Sequence, residues 1–300
     1  MALAVGSVQL GLIYGLLALG IYISFRILNI PDLTADGSFT LGLSVSAAMT
    51  VAGYPFLGIL LAIAAGAAAG SVTGLLQTKL GIHPILAGIL TMSSLYSVNL
   101  YVLGSRSNLS LIGTDSIFNR MLAWLPEDKE LVKTVIPFLF CFLCTAILIW
   151  FFKTHLGLCI RATGNNEDMV RASSINVSSM KIIALAVSNA CVGLSGAVLA
   201  QYQGYADISS GIGIVVVGLA SAIIGEAIFG RRSVTIGLIS AVFGSLIYRF
   251  IIAAALKSNI FPAYALRIVS AAIVVIALSI PVVKRQLQLS NMRKKAQRDA

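Results

Sequence analysis

Long and nearly uncharged apolar runs fill most of this sequence, and they leave it few possible folds. Of its 300 residues, 58% are hydrophobic and 11% are charged. Soluble domains carry roughly 25% charged residues, so a soluble fold does not suit this composition. The runs are continuous rather than alternating, which argues against a β-barrel and favours membrane-spanning helices. We therefore expect an all-α polytopic membrane protein.

Nine runs approach the roughly 20 apolar residues that a membrane span needs. The second and the seventh are short, so either is a candidate for a broken or re-entrant helix. The expected count is about nine spans, with a range of roughly eight to ten. All of them are expected to form one transmembrane domain, 1–285, followed by a basic tail, 286–300. The predicted spans are 3–25, 37–53, 56–78, 83–103, 134–153, 181–203, 212–229, 233–256 and 265–283.

Most basic residues flank the apolar runs, and their distribution predicts an orientation. If the polar segment 154–180 and the tail face the cytoplasm, most Lys and Arg lie on that side, as the positive-inside rule requires. The N-terminus is then outside and the C-terminus is cytoplasmic. The net charge of +10 therefore reflects topology in a lipid bilayer and does not indicate a nucleic-acid partner.

The polar segment 156–177, between two apolar runs, is too long for a simple connection. We predict that Asn165 caps a short helix, with Asp168 completing a variant of the capping box. Glu167 would then lie at the positive end of this helix dipole and Arg171 nearer the negative end. The alternative is a solvated loop without a defined helix.

The run from Gly157 to Lys181 resembles the cytoplasmic loop of ABC-importer permeases of the branched-chain amino acid and simple-sugar (ribose-type) family. In that family a Gly-Arg/Leu-x-x-x-Ala-x-Gly-x-Asn-Glu stretch leads into a Ser/Gly-Ile-Asn-Val segment. The following span and the run Gly218–Gly225 also fit. The resemblance implies that 164–176 couples the permease to an ATP-binding subunit. Its coupling residues would be Gly164, Asn165, Asn166, Glu167, Asp168, Arg171 and Asn176.

The stretch Leu28–Gly42 contains Pro-Asp-Leu-Thr-Ala-Asp-Gly-Ser-Phe and is similar to the subgroup associated with import of tryptophan or tyrosine. Proline and glycine in this stretch break the helix and free the backbone. Polar or charged groups inside a membrane are candidates for function, because each needs a partner or water. The candidates for the translocation pathway are Asn29, Asp32, Thr34, Asp36, Ser38, Asn99 and Arg249.

Each of these candidates has a plainer alternative. Asp32 and Asp36 would be solvated in a cytoplasmic loop and would cap the next helix. Asn99 would hydrogen-bond across the bundle, and Arg249 would pair with an acidic residue or extend to the outer headgroups. For Glu226 we expect a local ion pair with the two arginines that follow its span.

Two further patterns predict close helix packing and a helix at the outer surface. Gly66, Gly70 and Gly74 recur at four-residue spacing, which allows a neighbouring helix to approach closely. The loop 104–133 mixes charged and apolar residues and predicts a short amphipathic helix at the outer surface.

The family resemblance implies an ATP-driven importer that takes up an aromatic or branched-chain amino acid. Its partners would be a pair of ATP-binding subunits, a substrate-binding protein or lipoprotein outside, and a second copy of this chain in the bacterial inner membrane. The chain lacks the Gly-x-x-x-x-Gly-Lys-Ser/Thr loop, so ATP is expected to be bound by a partner subunit and no cofactor by this chain. It also lacks His-Glu-x-x-His, Gly-x-Ser-x-Gly and a metal-spaced Cys/His set, so it is expected to be no enzyme. The alternatives are a sugar or nucleoside permease, an ATP-independent secondary transporter and an intramembrane enzyme.

Overall fold

The computed structural model describes residues 2–124, 129–230 and 233–257, together with the single helical positions 268, 271, 272, 275 and 279. This part of the chain is almost entirely helical. Its elements are α1 (Ala2–Tyr22), α2 (Thr34–Val51), α3 (Pro55–Thr78), α4 (Pro84–Val102), β1 (Asn108–Ser110), α5 (Ile117–Trp124), α6 (Lys129–Phe151), α7 (His155–Asn165), α8 (Glu167–Ala172), α9 (Val177–Gln203), β2 (Tyr205–Asp207), α10 (Ile214–Phe229) and α11 (Val234–Lys257). A π-helical turn, Ile23–Ile27, extends α1, and a 3-10 turn, Ile208–Gly211, precedes α10.

Seven helices of the described part are long and apolar enough to cross a membrane. They are α1 with its π-turn, α3, α4, α6, α9, α10 with its 3-10 turn, and α11. The expectation of a polytopic helical membrane protein is confirmed. The predicted span 265–283 lies almost wholly outside the described residues, so the total of nine and the sidedness of the termini stay predictions.

The predicted span 37–53 corresponds to α2, which is a different kind of helix. It is too polar to count among the seven, yet most of its residues are buried, with Phe39 and Leu43 fully enclosed. It lies among α3, α4 and α9. Since protein rather than lipid surrounds it, its polar side chains can find partners there.

Glycines bring α2, α3 and α9 into backbone contact. A Cβ on Gly66 would overlap the carbonyl oxygen of Asn189, and a Cβ on Gly70 would overlap that of Leu185. The predicted packing role of the α3 glycines is confirmed. On α2, a Cβ on Gly42 would likewise overlap the backbone of Gly193.

The helices α10 and α11 form a second tight pair. A Cβ on Gly225 of α10 would overlap the carbonyl oxygen of Ser240, and a Cβ on Gly244 of α11 would overlap that of Ser221. The first helix, α1, packs against both α9 and α11. The hydroxyl of Ser188 on α9 donates to the carbonyl of Gly20 at 2.7 Å, which fixes the register of α1 on α9.

One end of the bundle, which we call the hairpin end, carries β1, β2 and α5. The two strands pair antiparallel, with Leu109 opposite Ala206. The sequence did not predict them. The predicted helix in the loop 104–133 is confirmed as α5, whose Phe118 is buried edge-on against Tyr202 with ring centroids 5.9 Å apart. The opposite end, which we call the insert end, carries α7 and α8.

Candidate functional site

The segment between α1 and α2 turns back into the bundle instead of remaining at its surface. After the π-turn, Asn29 adopts a left-handed conformation with φ of 58° and is exposed. Three residues later Asp32 is fully buried, and its Oδ2 accepts a hydrogen bond from Asn189, midway along α9, at 2.7 Å. Its Oδ1 accepts from the backbone of Thr34 at 2.9 Å. The expectation of a solvated Asp32 is therefore wrong, because α9 supplies the polar partner that water would otherwise provide.

Threonine hydroxyls continue this network across three helices. The hydroxyl of Thr34 on α2 lies 2.7 Å from that of Thr73 on α3. Thr73 in turn donates to the hydroxyl of Thr91 on α4 at 3.0 Å. Asp32 and Thr34 thus belong to one buried network that joins α2, α3, α4 and α9, although Oδ1 of Asn189 has no partner among the described residues.

Asp36 caps a helix, but not the one to which it belongs. Its Oδ2 accepts from the backbone N–H of Gly213 at 2.9 Å, and its Oδ1 accepts from that of Val215 at 3.0 Å. These are N–H groups at the start of α10, which have no partner within their own helix. We expected Asp36 to cap the helix after its loop. That expectation is wrong, since α2 already includes Asp36 and the free N–H groups of α10 lie against it.

Asp36 also lines a cavity of about 390 Å³, the hairpin-side cavity. Asn99 of α4 lies there with 1% of its surface exposed and donates from Nδ2 to the carbonyl of Gly37 at 3.3 Å. Asn99 therefore both bonds across the bundle and lines a cavity. The described lining residues are Asp36, Gly37, Thr40, Met92, Ser93, Tyr96, Asn99, Ile208, Gly211 and Ile212.

Two other pathway candidates lie elsewhere. The guanidinium of Arg249 stacks on the ring of Tyr14, with its carbon 3.6 Å from the ring centroid, and Tyr14 stacks on Phe39. The sequence did not predict this cation–π contact, and pairing of Arg249 with an acidic residue or with the outer headgroups stays a prediction. Ser38 is fully buried, and its hydroxyl has no hydrogen-bond partner among the described residues.

A second cavity of about 390 Å³, the insert-side cavity, lies at the insert end. There Arg26 of the π-turn forms an ion pair with Glu226 of α10, with 2.5 Å between Nη2 and Oε2. The sequence did not predict Arg26 as a partner, and the expected pairing of Glu226 with Arg231 or Arg232 falls outside the described residues and stays a prediction. The described lining residues are Tyr22, Arg26, Ile27, Asn29, Arg161, Gly164, Asn165, Glu226, Ser233 and Val234.

The polar segment folds as two helices, α7 and α8. Asn165 is the last residue of α7, and the cap of α8 is Asn166, whose Oδ1 accepts from Met169 N at 3.1 Å. The prediction of a capped helix is right, but the capping residue is wrong by one position. Asn176 caps the start of α9 by accepting from Ser179 N at 3.1 Å.

Ion pairs and a buried valine hold α8 in place. Glu167 pairs with Lys181 of α9 at 2.5 Å and with Arg171 at 3.8 Å. Val170 faces inward, whereas Met169 exposes 57% of its surface. Sequence reasoning missed Met169, because the polar segment holds several large apolar side chains and only the structure shows that Met169 is exposed while Val170 is buried.

Gly164 lies at the junction between α7 and the π-turn. A Cβ there would overlap the carbonyl oxygen of Ile27. We predicted Gly164 as a coupling residue, and this close contact with Ile27 explains why a glycine is needed at its position. Asn165, Asp168 and Arg171 are exposed.

The family model described as "Branched-chain amino acid transport system / permease component" matches residues 3–278. The chain belongs to this permease family. The resemblance noted from the sequence is thereby confirmed over nearly the whole chain.

Individual relatives of the permease include both amino acid and sugar transporters. The tyrosine transport system permease protein of Clostridioides difficile is 39% identical over 242 residues, 80% of this chain and 79% of the relative. An uncharacterized protein of Rickettsia prowazekii is 36% identical over 229 residues, 76% of this chain and 79% of its own length. The D-allose permease AlsC of Escherichia coli is 29% identical over 237 residues, 77% of this chain and 69% of its own. No solved structure gives a significant match.

Together with the seven apolar helices of the described residues, this membership makes the protein a multi-pass transport permease of the bacterial inner membrane. The family and the tyrosine relative are described as permease components and not as enzymes.

Proposed function

We propose that this permease is the membrane-spanning subunit of an ATP-driven ABC importer, and that ATP-binding subunits dock on residues 164–176. The observation that carries this proposal is α8 itself. It is capped by Asn166, tied to α9 by Glu167 and Lys181, and it presents Met169 outward. A rigid polar helix with one exposed apolar side chain is suited to a groove in a soluble partner, because few contacts carry most of an interface energy. ATP would be bound by that partner.

The solute would be an aromatic amino acid first and a branched-chain amino acid second. The tyrosine permease among the relatives and the aromatic-type stretch Pro31–Phe39 support this order. A binding protein or lipoprotein outside would deliver the solute to the hairpin end. A sugar or nucleoside permease is the alternative within the family, supported by the D-allose relative. An ATP-independent secondary transporter would have no ATP-binding subunit for α8 to contact.

Two copies of the chain would form the pathway, with the exposed face of α4 turned toward the second copy. The side chains exposed on α4 differ from those exposed on α6, and this difference supports the choice of α4. The exposed face of α6 is apolar, as lipid requires, whereas α4 exposes serine hydroxyls among its apolar side chains. The α6 side chains are Leu139, Phe142, Leu143 and Trp150, and those of α4 are Ser93, Ser94 and Ser97.

Uptake of radiolabelled tyrosine by vesicles that contain the permease with its ATP-binding subunits and binding protein tests the proposal. We expect uptake that requires ATP and that tryptophan blocks but ribose does not. Competition by leucine would reassign the solute to the branched-chain class, and ribose uptake would reassign it to sugars. Tyrosine uptake that is indifferent to ATP would contradict the importer mechanism.

The docking proposal has its own matched pair of variants. Met169→Asp places a charge at the centre of the proposed contact and should abolish both co-purification of the ATP-binding subunits and uptake. Met169→Leu keeps the apolar contact and should leave both intact. Full co-purification and uptake with Met169→Asp would exclude α8 as the docking element.

The subunit arrangement is tested by paired cysteines. Ser94→Cys should form a disulfide between two copies under mild oxidation, whereas Leu143→Cys on α6 should not. The reverse pattern would place the second copy on α6.

A further inference from the structure

The hairpin-side cavity contains a buried polar atom that the protein leaves unpaired. Asn99 is almost completely buried, and its Oδ1 has no hydrogen-bond partner among the described residues. Exchanging the oxygen and nitrogen of this amide would not help, because the oxygen would then face the carbonyl of Gly37, which needs a donor. An unpaired buried acceptor costs free energy, so it calls for an explanation such as a ligand.

Asp36, which lines the same cavity, is also an acceptor. Both of its oxygens accept from the start of α10, which fixes the carboxylate in the cavity wall and leaves it acceptor capacity that these bonds do not use. Among the described lining residues, none carries a positive charge. The cavity therefore offers a preorganised set of acceptors to a group that donates several hydrogen bonds.

The remaining walls decide what kind of donor fits. Met92, Ile208 and Ile212 are apolar, Tyr96 presents an aromatic ring, and Thr40 and Ser93 add hydroxyls, of which that of Thr40 already donates to the carbonyl of Asp36. A sugar carries hydroxyls on every side and would leave them unpaired against these walls. A primary ammonium on an apolar or aromatic body satisfies both parts, with three donors at one end and a surface for burial at the other. A volume of about 390 Å³ lies within the range of ordinary small-molecule sites.

We propose that the hairpin-side cavity is a recognition subsite for the ammonium group of the transported solute, with Asp36 and Asn99 as acceptors and Tyr96 beside the apolar body. The assignment rests on the proposed import of an amino acid. It adds that the permease itself, and not the binding protein alone, rejects solutes that lack a cation.

Chemical protection of a cysteine in the cavity tests this subsite without requiring transport. Ser93→Cys places a thiol in the cavity wall, and Ser97→Cys places one on an exposed position of the same helix outside the lining. A membrane-impermeant methanethiosulfonate would be applied to vesicles that contain the whole transporter. The probes would be tyramine, which has an ammonium and no carboxylate, 3-(4-hydroxyphenyl)propionate, which has the reverse, and ribose.

We expect tyramine, at about ten times its Kd, to slow labelling of Ser93→Cys about tenfold by simple occupancy. The propionate and ribose should not slow it, and labelling of Ser97→Cys should be unaffected by all three. Asn99→Leu in the Ser93→Cys background should weaken tyramine protection about tenfold, the effect of one lost hydrogen bond to a charged group. Asn99→Asp should retain the protection.

Protection by ribose or the propionate in place of tyramine, or by none of the probes, would overturn the subsite. Tyrosine uptake in the same vesicles separates this failure from that of the proposed function. ATP-dependent uptake without tyramine protection leaves the importer standing and removes the subsite. Tyramine protection without ATP-dependent uptake supports the subsite and removes the importer mechanism.

Discussion

The hairpin-side and insert-side cavities each measure about 390 Å³, yet their walls differ in kind. The first sets two acceptors, Asp36 and Asn99, against apolar walls. The second holds charges of both signs and is crossed by the ion pair between Arg26 and Glu226. The side chains of the first cavity are suited to selecting a solute, and those of the second to holding the π-turn, α7 and α10 together. Changes in the first cavity are therefore expected to alter solute selection, and changes in the second to weaken the contact between these elements.

The junction beside the insert-side cavity should give the largest effect. Gly164→Ala places a Cβ against the carbonyl of Ile27, where the backbone cannot retreat without separating α7 from the π-turn. We expect a loss of about 3 kcal/mol in the free energy of unfolding, at the upper end of overpacking effects. Thermal unfolding of the purified permease measures it.

The matched control is Gly6→Ala on α1, where a Cβ would meet nothing within 4 Å. It should be neutral or slightly stabilising, because alanine favours a helix over glycine. Equal unfolding temperatures for Gly164→Ala and Gly6→Ala would refute the close junction.

The ion pair of the insert-side cavity should show an asymmetric response. Arg26→Gln removes one cation from a carboxylate whose side chain is only 7% exposed and should cost about 2 kcal/mol, between buried and surface pairs. Glu226→Gln leaves Arg26, 31% exposed, in contact with solvent and should cost about half as much. The double swap, Arg26→Glu with Glu226→Arg, should recover part of the loss in thermal unfolding. Additive losses in the swap would show that the two charges are not coupled.

The threonine network beside the hairpin-side cavity should give an intermediate effect. Thr73→Val removes the hydroxyl that joins Thr34 to Thr91 and should cost about 1–2 kcal/mol, the net value of two hydrogen bonds. Thr78→Val, on the same helix, removes a hydroxyl that donates to the carbonyl of Gly74 within its own helix, and should cost less. The comparison uses unfolding temperatures, and an equal cost would mean that the network adds nothing to packing.

The smallest effect should come from the unpaired hydroxyl on α2. Ser38→Ala removes a buried group without a partner and should leave the stability unchanged or slightly raised, because a desolvation cost disappears. Ser46→Ala on the same helix loses the donation to the carbonyl of Ala197 at 3.1 Å and the acceptor for Gln201 Nε2 at 3.0 Å, and should cost about 1–2 kcal/mol. If Ser38→Ala were the more harmful, the hydroxyl would have an unrecognised partner.

Local sequence patterns predicted the helices well, but they could not identify contacts between residues far apart in the chain. Continuous apolar runs and the polar segment indicated the spans and a capped helix between them. They could not show that Asp36 caps a helix that begins some 177 residues later, or that Arg26 pairs with a residue 200 positions away. Asn165 and Asn166 are equally good caps by type, and the length of α7 decided between them. The strands β1 and β2, three residues each, were too short to leave an alternating pattern.

The glycine contacts of α2, α3 and α9 have a mechanical consequence. Sliding α9 by one residue would replace Gly193, which faces the backbone of Ala62 on α3, and Gly196, which faces that of Phe39 on α2, with neighbours whose side chains have no room there. These three helices therefore have a single permitted registry and must travel as one body. The tight pair α10 and α11 is a second body of the same kind, so a conformational cycle of this permease has to be a hinge between rigid blocks and not a shear of helices within them.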